Sequence, residues 1–513
     1  MTREHSAPRP LPWWWNASLI ALGFAMALFR LIPTEADPDL WGHLRFGLDT
    51  LGSGAIVRPD TYSYLSGLSG AYPWINHEWL AEAIMASVWR DFGAGGLIAL
   101  KVAIGLFVAI AVCRHLTRRD VPLLGALLMT AYGMAILLPG LRSMRPQAFT
   151  YLAFALLLVW VHRASRGPVG WLAPVPPLMA VWANLHGGFV AGLGVLGLCV
   201  VTRPFQLRGR RSGALAIAAA SVAATLITPY GWTLWTFLAS TLGPRPEIVE
   251  WQGVSLVTVQ GLAYLAVAGA GVTGLFLSQR PRPSIDIALI VCAVILPFIA
   301  QRHLPLTVLI VLIVGGEHIA SAATLVFRRG AAPGERSDRF RPLVAAALLV
   351  EAAVLIVLMA TSPQTGQIVY KPTEYPVEAV ARLAEFAQAG GTANVAVHFN
   401  WGEYLLWHAG PRVKVSMDGR RETVYSDAAY HDNTLFFDGV GEWDRLLARR
   451  ETDLALVPAG TAVYHLMSMH PDWELVMDSG PAALFGRRNS PVTSQMRAIP
   501  ARALNEVTTL IFP

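Results

Sequence analysis

Residues 35–45 read EADPDLWGHLR, which places three carboxylates and a histidine directly after the first long apolar run of the chain. Proline suits the first position of a helix and Asp suits the position before it, so the segment predicts a helix capped by Asp37 and starting at Pro38. Asp39 and His43 are then four residues apart and share one face of that helix. An alternative is that Asp37 only caps the helix and Asp39 only complements its dipole. A cap explains one acid but not three beside a histidine, which favours a site.

The apolar run before this segment is one of many. The chain has 513 residues, of which 54% are hydrophobic and 14% are charged, a composition that excludes an ordinary soluble protein. Stretches of about 20 apolar residues, the length that crosses a bilayer, recur up to position 361. The pattern predicts about eleven spans, centred near Phe24, Leu106, Leu127, Leu156, Pro177, Leu193, Val222, Val267, Val291, Ile310 and Val354.

The basic residues, which give a net charge of +6, lie between these spans and indicate topology instead of nucleic-acid binding. With the N-terminus in the cytoplasm, five arginine-bearing connections lie inside, as the positive-inside rule requires. They are Arg114/Arg118/Arg119, Arg163/Arg166, Arg203/Arg208/Arg210/Arg211, Arg280/Arg282 and the run from Arg328 to Arg341. An odd number of spans then places the tail on the opposite side. The expected location is a bacterial inner membrane with a periplasmic C-terminal domain.

Two parts of the chain extend beyond the spans. The transmembrane domain, residues 1–361, contains a loop at 34–95 that is far longer than usual and carries two amphipathic segments, 39–51 and 77–92, typical of interfacial helices. Residues 362–513 alternate between strand and helix patterns, which favours a soluble α/β domain. Strands are predicted at 395–398, 413–417 and 454–457, helices at 404–408, 443–449 and 463–470, and a hairpin at 473–485. The expected fold class is a polytopic α-helical membrane protein with a C-terminal soluble α/β domain.

Other breaks on the outer side add polar groups at the same depth. Ionisable residues near the membrane are costly and are therefore candidates for function. His77 and Glu78 do not form a metalloprotease motif, because Ala81 stands where that motif needs its second histidine. Trp41, Trp74 and Trp79 are interpreted as anchors at the membrane interface. The candidate substrate-binding residues are His43, His77, Glu78, Arg142, Arg145, Asn184, His186, Arg302 and His303.

These groups together suit the departure of a lipid phosphate from a sugar. Arginine forks bind phosphate oxygens bidentately. Asp37 or Asp39 would act as the general base that takes the proton from an acceptor hydroxyl. If a divalent ion such as Mg²⁺ or Mn²⁺ takes part, Glu35, Asp39 and His43 would hold it, and the ion would neutralise the departing phosphate.

At these residues the chain resembles the C-type superfamily of membrane glycosyltransferases, which includes protein O-mannosyltransferases, aminoarabinose transferases and bacterial oligosaccharyltransferases. Both 35–37 and 37–39 fit the loose acidic pattern of that superfamily. The segments DPDLWGHL (37–44), HEWL (77–80), NLHGG (184–188) and WGEYL (401–405) together are similar to a group of bacterial members.

The resemblance implies a multi-span bundle with two juxtamembrane helices in a long first outer loop. It implies inverting transfer of a sugar from a polyprenyl-phosphate donor to a lipid, glycan or protein acceptor. A first-loop aspartate would be the base. Asp37 is favoured because it lies nearest the membrane, whereas the helix geometry favours Asp39.

A second motif-like region lies in the tail, at 400–405 and 415–422. It is interpreted as a helix start followed by a strand-to-turn corner that uses an Asp-Gly pair. The functional alternative is an acceptor-binding edge made by Asp418, Arg420 and Arg421.

Two other functions fit some of these features. A transporter of lipid-linked sugars would carry charges at the bilayer midplane and two inverted halves, whereas here the charges cluster at one face. A Wzy-like polymerase or ligase would also use arginines at the outer face. Such a protein would place its main loop late in the bundle, whereas this chain places it first.

Overall fold

The computed structural model describes residues 11–66, 74–202, 211–241, 249–328, 337–448, 451–500 and 510–513. The predicted cytoplasmic residues Arg203, Arg208 and Arg210, positions 329–336 of the later arginine run, and Arg449 of a predicted helix lie outside these ranges. Up to position 361 the described chain is almost entirely helical. Its helices are α1 (Trp13–Leu31), α2 (Pro38–Ser53), α3 (Trp79–Thr117), α4 (Leu123–Leu137), α5 (Gln147–Arg166), α6 (Val175–Leu185), α7 (Phe189–Thr202), α8 (Arg211–Ala224), α9 (Trp232–Thr241), α10 (Val259–Leu277), α11 (Ser284–Ile299), α12 (Leu304–Ile310), α13 (Gly316–Arg328) and α14 (Ser337–Thr361).

Every predicted span centre lies in an apolar helix. Among the described residues, seven helices are long and apolar enough to cross a membrane: Trp13–Leu31, Trp79–Thr117, Leu123–Leu141, Gln147–Arg166, Val259–Leu277, Gln301–Leu325 and Arg341–Thr361. The other four centres lie in shorter apolar helices, Val169–Leu185, Phe189–Thr202, Ser212–Ala224 and Ser284–Ile299. The structure therefore supports a multi-pass membrane protein, whereas the total of eleven spans stays a prediction.

The two amphipathic segments of the first long loop are confirmed as helical. The first is α2, which begins at Pro38 after the cap Asp37. The second is the beginning of α3, which is kinked at Gly93, where φ is 60° and ψ is −152°. Glycine adopts this left-handed backbone without the steric cost that a side chain imposes. The kink separates the amphipathic segment from the apolar one that follows.

The C-terminal region contains two sheets. Their strands, together with one strand from the first loop, are β1 (Thr34–Glu35), β2 (Ile368–Tyr370), β3 (Ala393–Val397), β4 (Val413–Val415), β5 (Leu454–Pro458), β6 (Trp473–Ser479), β7 (Ala482–Arg487) and β8 (Leu510–Ile511). The larger sheet has the order β4-β3-β5-β7-β6. Strands β4, β3 and β5 are parallel, and β7 is antiparallel to both β5 and β6.

The helices of this region complete the predicted alternation of strands and helices. They are α15 (Val377–Gln388), α16 (Gly402–Ala409), α17 (Arg421–Val424), α18 (Asp427–Asp438), α19 (Arg445–Ala448), α20 (Ala462–Met469) and α21 (Pro491–Ala498). The predicted strands, helices and hairpin all have counterparts here. Helices α15, α17, α18 and α21 were not predicted.

The first loop and the C-terminal region are joined by backbone hydrogen bonds. Strand β1 pairs in parallel with β2, which pairs in turn with β8. Ser63 forms a parallel bridge to Val415 at the edge strand β4. The N–H of Val415 donates to the carbonyl of Tyr62 at 2.9 Å. Both sheets of the C-terminal region are thus extended by residues of the loop that carries the acidic motif.

A cluster of aromatic rings forms the core of this junction. Trp41 is completely buried, and its ring centroid lies 4.9–5.4 Å from those of Tyr370, Tyr375, Tyr404 and Phe512. The prediction of Trp41 as an interface anchor is therefore wrong, because its ring packs against the C-terminal region and not against lipid. Aromatic pairs at these spacings add stabilisation beyond the area that they bury.

The predicted acceptor residues Asp418, Arg420 and Arg421 are all buried in the structure. Arg420 pairs with Asp418 at 2.6 Å and with Asp60 of the first loop at 2.9 Å. Its guanidinium lies over Phe46 and Trp74, 4.4 and 4.8 Å from their ring centroids. Trp74, also predicted to be an interface anchor, is therefore part of the same buried packing.

Arg421 pairs with Asp427 at 2.9 Å and lies over the ring of Tyr430 at 3.9 Å. These contacts correct the acceptor-edge hypothesis, because Arg420 binds Asp418 and the first loop while Arg421 binds α18. They do not form an open surface. The structure favours the alternative interpretation of this segment as a structural corner.

We expect Arg420→Met to lower the free energy of unfolding by about 3–5 kcal/mol, the usual effect of removing one partner of a buried ion pair. The carboxylates of Asp60 and Asp418 would stay buried without their cation. Thermal unfolding in detergent measures the change. The matched control is Arg90→Met, which removes an exposed arginine paired with Asp91 and should alter stability little. Equal unfolding temperatures for the two variants would contradict the structural role of Arg420.

Candidate functional site

Arg145 joins the two candidate catalytic aspartates. Asp37 caps α2 and accepts a hydrogen bond from the N–H of Asp39 at 3.2 Å. Arg145, from the segment between α4 and α5, contacts the carboxylate of Asp37 at 3.0 Å and that of Asp39 at 2.5 Å. Glu250 lies 3.8 Å from the same guanidinium. The predicted phosphate-binding residue Arg145 is thus the counter-ion of both acids.

The surroundings of Asp37 change its pKa. Burial raises the pKa of the Asp37 carboxyl to about 6, with the charge of Asp39 adding to the rise and that of Arg145 opposing it. A carboxyl with such a pKa is ionised near neutral pH and still basic enough to accept a proton. Asp37 therefore has the properties of a general base.

Asp37 lines a large cavity of about 1400 Å³ between the helical bundle and the C-terminal region. One end of the cavity is polar and includes Arg142, Arg145 and Arg302. The other end is apolar and runs along α7, α11 and α12. The C-terminal region contributes six residues to the cavity lining: Glu374, Tyr375, His398, Asn400, Trp401 and Pro458. The cavity thus suits an amphiphile that has a charged head and an apolar tail.

The predicted site residues divide into three groups. Seven line the cavity: Glu35, Asp37, Arg142, Arg145, His186, Arg302 and His303. Asp39, His43, His77, Glu78 and Asn184 lie beside it without being part of its lining. Asp418, Arg420 and Arg421 belong to the buried junction described above. Asp37 therefore lines the cavity and Asp39 does not, although the sequence ranked the two nearly equal as candidates for the general base.

His43 lies among carboxylates from α3 and the turn before it. Its Nδ1 is 3.1 Å from Glu82 Oε1 and 4.0 Å from Glu78 Oε2. Burial alone would lower the pKa of His43, but the hydrogen bond to Glu82 and the charge of Glu78 raise it to about 9. The amide of Asn76 donates to the other oxygen of Glu82 at 2.5 Å. His43 is thus held as a cation between two acids.

His43, Glu78 and Glu82 are also one of two groups of described residues whose ligand atoms are close enough to share a metal ion, all within 4.8 Å of one another. The predicted metal ligands Glu35 and Asp39 are not part of this group. Glu35 pairs with Arg142 at 3.1 Å, in a contact in which both side chains are at least half exposed. Of the three residues expected to hold an ion, His43 belongs to this group, whereas Glu35 and Asp39 do not.

His186 presents a defined N–H group beside the cavity. The backbone N–H of Gly188 donates to His186 Nδ1 at 2.9 Å, so this nitrogen carries no proton. Burial lowers the pKa of His186 to about 4, and the neutral ring therefore has its proton on Nε2. That atom lies 3.5 Å from Glu78 Oε1. His186 is thus a neutral donor that faces a carboxylate.

Asn184 and the two remaining histidines have local partners. Asn184 accepts from the indole N–H of Trp79 at 2.9 Å and donates to the carbonyls of Ala180 and Ile227. His77 Nε2 lies 3.8 Å from Glu78. His303 Nδ1 lies 3.1 Å from the carbonyl oxygen of Leu296. Asn184 thus joins α6 to α3 and to the segment before α9, and it does not face the cavity.

Arg302, which lines the cavity, contacts an aromatic ring. Its guanidinium lies 4.2 Å from the ring centroid of Trp251. It forms no ion pair with any residue that the structure describes. A cation–π contact of this kind leaves the N–H groups available to an anion. Arg302 is therefore the cavity arginine whose charge is not matched by an acid among the described residues.

Four acidic residues at or beside the site were not predicted: Glu82, Glu250, Glu374 and Glu403. Glu82 follows Glu78 by one helical turn, and this spacing would have revealed it. Glu250 and Glu374 come from distant segments that carry no motif. Glu403 was quoted within WGEYL but received no role.

We expect Gly188→Ala to destabilise the fold by about 1–3 kcal/mol, the range typical of overpacking. A Cβ at Gly188 would lie 2.6 Å from the side chain of Thr150 and 2.9 Å from His186 Nδ1. The matched control is Gly187→Ala, whose new Cβ would make only ordinary contacts with His77, at 3.6 Å. Thermal unfolding compares the two variants. A Gly188→Ala protein as stable as Gly187→Ala would contradict the described packing of His186.

Comparisons with known proteins identify the fold. No protein-family model matches the chain, and no curated protein matches it significantly. The solved structure of the arabinofuranosyltransferase AftD from Mycobacteria matches with a TM-score of 0.54 and 14% identity, over 94% of this chain and 42% of that one. ArnT from Cupriavidus metallidurans bound to undecaprenyl phosphate gives a TM-score of 0.49 and 13% identity, over 93% of this chain and 98% of that one. Apo ArnT gives 0.48 and 14%, over 92% and 97%. The chain therefore shares its fold with the arabinofuranosyltransferase AftD.

Proposed function

We propose that this protein transfers a sugar from a polyprenyl-phosphate donor to a hydroxyl group of a lipid, glycan or protein acceptor, at the outer face of a bacterial inner membrane. The observation that carries the proposal is the cavity, which joins the Asp37–Arg145 pair to an apolar groove between membrane helices. A fold shared with an arabinofuranosyltransferase supports sugar transfer as the reaction. The positive-inside pattern of the sequence supports the outer face as its location.

The apolar end of the cavity suits a polyprenyl chain. Five residues on one face of α7 line it: Val190, Ala191, Gly194, Val195 and Leu198. Across the groove lie Leu289, Cys292 and Leu296 of α11. A lipid tail in this groove would lie within the membrane while its phosphate meets the polar end. At the polar end, the guanidinium of Arg302 would bind the phosphate oxygens.

In the proposed reaction Asp37 takes the proton of the acceptor hydroxyl, and the acceptor oxygen attacks C1 of the sugar. The bond between C1 and the phosphate oxygen breaks, and the polyprenyl phosphate leaves with the bonding electrons. Arg302 stabilises the negative charge that develops on the phosphate. Asp39 and Arg145 hold Asp37 in position. Attack opposite to the leaving phosphate inverts the configuration at C1.

A divalent ion such as Mg²⁺ or Mn²⁺ would fit at His43, Glu78 and Glu82, whose one imidazole and two carboxylates are suitable ligands. There it would add positive charge next to the aspartates. His43 must lose its proton to act as a ligand. Glu82 and Glu78 raise the pKa of His43 to about 9, so the ring is protonated near neutral pH. An ion would therefore have to displace this proton in order to bind.

The central test is transfer from a labelled polyprenyl-phosphate sugar by purified protein, with extracted lipid or glycan acceptors. We expect Asp37→Asn to lower kcat by about 10²–10⁴-fold, the contribution typical of a general base. Asp39→Asn should retain more activity than Asp37→Asn, because Asp39 does not line the cavity. Transfer that survives Asp37→Asn at the wild-type rate would overturn the assignment of the base.

The pH dependence of kcat tests the same residue without a change in its chemistry. The base acts only when it is deprotonated, so the rate should fall as the pH decreases through about 6, the raised pKa of Asp37. The positive charges of Arg145 and His43 lower this pKa, and the negative charge of Asp39 raises it. Asp39→Asn should therefore move the acidic limb to lower pH. A limb that stays in place would show that Asp39 does not act on the titrating group.

The lipid groove is tested by filling it. A Cβ at Gly194 would meet open space, and Gly194 lines the apolar end of the cavity. We expect Gly194→Leu to raise KM for a long polyprenyl donor by about tenfold while a short-chain donor is used normally, since only the long tail would reach the new side chain. Gly197→Leu is the control, because Gly197 is equally open and lies outside the cavity. Equal KM values for the long donor in both variants would contradict the assigned groove.

A further inference from the structure

Glu403 brings a buried carboxyl from the C-terminal region to the helix that carries Asp39. It lies in the first turn of α16 and is almost completely buried. Its Oε2 accepts a hydrogen bond from the backbone N–H of Gly42 at 3.0 Å, across 361 positions of sequence. Gly42 lies in α2, one turn after Asp39. Glu403 thus links α16 directly to the interfacial helix of the site.

Two glycines leave the space that this carboxyl occupies. A Cβ at Gly42 would overlap the Glu403 carboxyl. A Cβ at Gly419 would lie 2.5 Å from Asp39 Oδ1 and 2.7 Å from Glu403 Oε1. The two carboxyl groups therefore approach the same point on the backbone of Gly419. Any residue other than glycine at either position would push Glu403 or Asp39 out of place.

The charges around Glu403 favour a carboxyl that keeps its proton. Burial raises its pKa well above the usual range, and the neighbouring acids Asp39 and Asp418 add to this rise. Arg420 opposes it, but this arginine is already bound by Asp418 and Asp60. A protonated carboxyl can donate a hydrogen bond as well as accept one. Glu403 accepts from Gly42 with Oε2, and its Oε1 lies with Asp39 Oδ1 beside Gly419.

We propose that Glu403 is a positioning residue of this site: wedged between Gly42 and Gly419, it holds Asp39 against Arg145 and thereby fixes the base Asp37. It acts through Asp39 and does not line the cavity. The inference rests on the proposed function and makes the C-terminal region part of the active site. It also gives a role to the WGEYL and Asp-Gly segments of the tail.

The test measures kcat and donor KM of the transfer reaction for three variants of Glu403. Glu403→Gln keeps the shape of the side chain and an acceptor for Gly42, so kcat should stay within about threefold of wild type. Glu403→Asp is too short to reach Gly42, and Glu403→Ala removes the group. Both should lower kcat by about 10- to 100-fold with little change in donor KM, because misplaced catalytic groups slow chemistry more than binding. Glu451→Ala, an exposed acid of the same region, is the control and should resemble wild type.

A double variant separates positioning from general destabilisation. If Glu403 acts through Asp39, the loss in Asp39→Asn/Glu403→Ala should be no larger than that of the more impaired single variant. Multiplying losses would indicate independent roles and overturn the inference. So would full activity of Glu403→Ala, or a Glu403→Gln variant as impaired as Glu403→Ala. A wild-type protein that transfers no sugar would instead overturn the proposed function, and this inference with it.

Discussion

The ion pairs between Arg145 and the aspartates of α2 are the interaction on which the site depends. Two carboxylates close together at the edge of a membrane repel each other and lose hydration, so they need a cation between them. Arg145 supplies that cation from the segment before α5, at 3.0 Å from Asp37 and 2.5 Å from Asp39. This contact joins the first outer loop to the helical bundle. It also leaves Asp37 facing the cavity, while Asp39 faces the C-terminal region.

The C-terminal region completes the same arrangement from the opposite side. Its sheet is continued by Ser63 of the first loop, and its aromatic side chains enclose Trp41. Arg420 binds Asp60. Hydrogen bonds, ring contacts and ion pairs therefore hold α2 between the bundle and the C-terminal region. A general base needs such a rigid setting, because small displacements of a reacting group cost large factors in rate.

Local sequence patterns predicted the features that local physics determines. The cap at Asp37 and the helix starting at Pro38 follow from backbone preferences, and the centres of the apolar helices follow from the length of each hydrophobic run. The alternating strands and helices of the tail were also predicted from local patterns. Features that depend on distant contacts were not. The burial of Trp41, the pairing of Arg420 with Asp60 and the contact of Glu403 with Gly42 join segments hundreds of residues apart, and no periodicity records them.

The central claim is that Asp37 faces the reacting end of a lipid-linked sugar whose tail lies along α7. A structure of the Asp37→Asn protein with a bound polyprenyl-phosphate sugar, determined by cryo-electron microscopy, tests this claim most directly. We expect the phosphate to contact Arg302, C1 of the sugar to face residue 37 and the polyprenyl chain to follow α7 past Gly194. A donor bound elsewhere on the bundle, or bound with its phosphate away from this cavity, would contradict it.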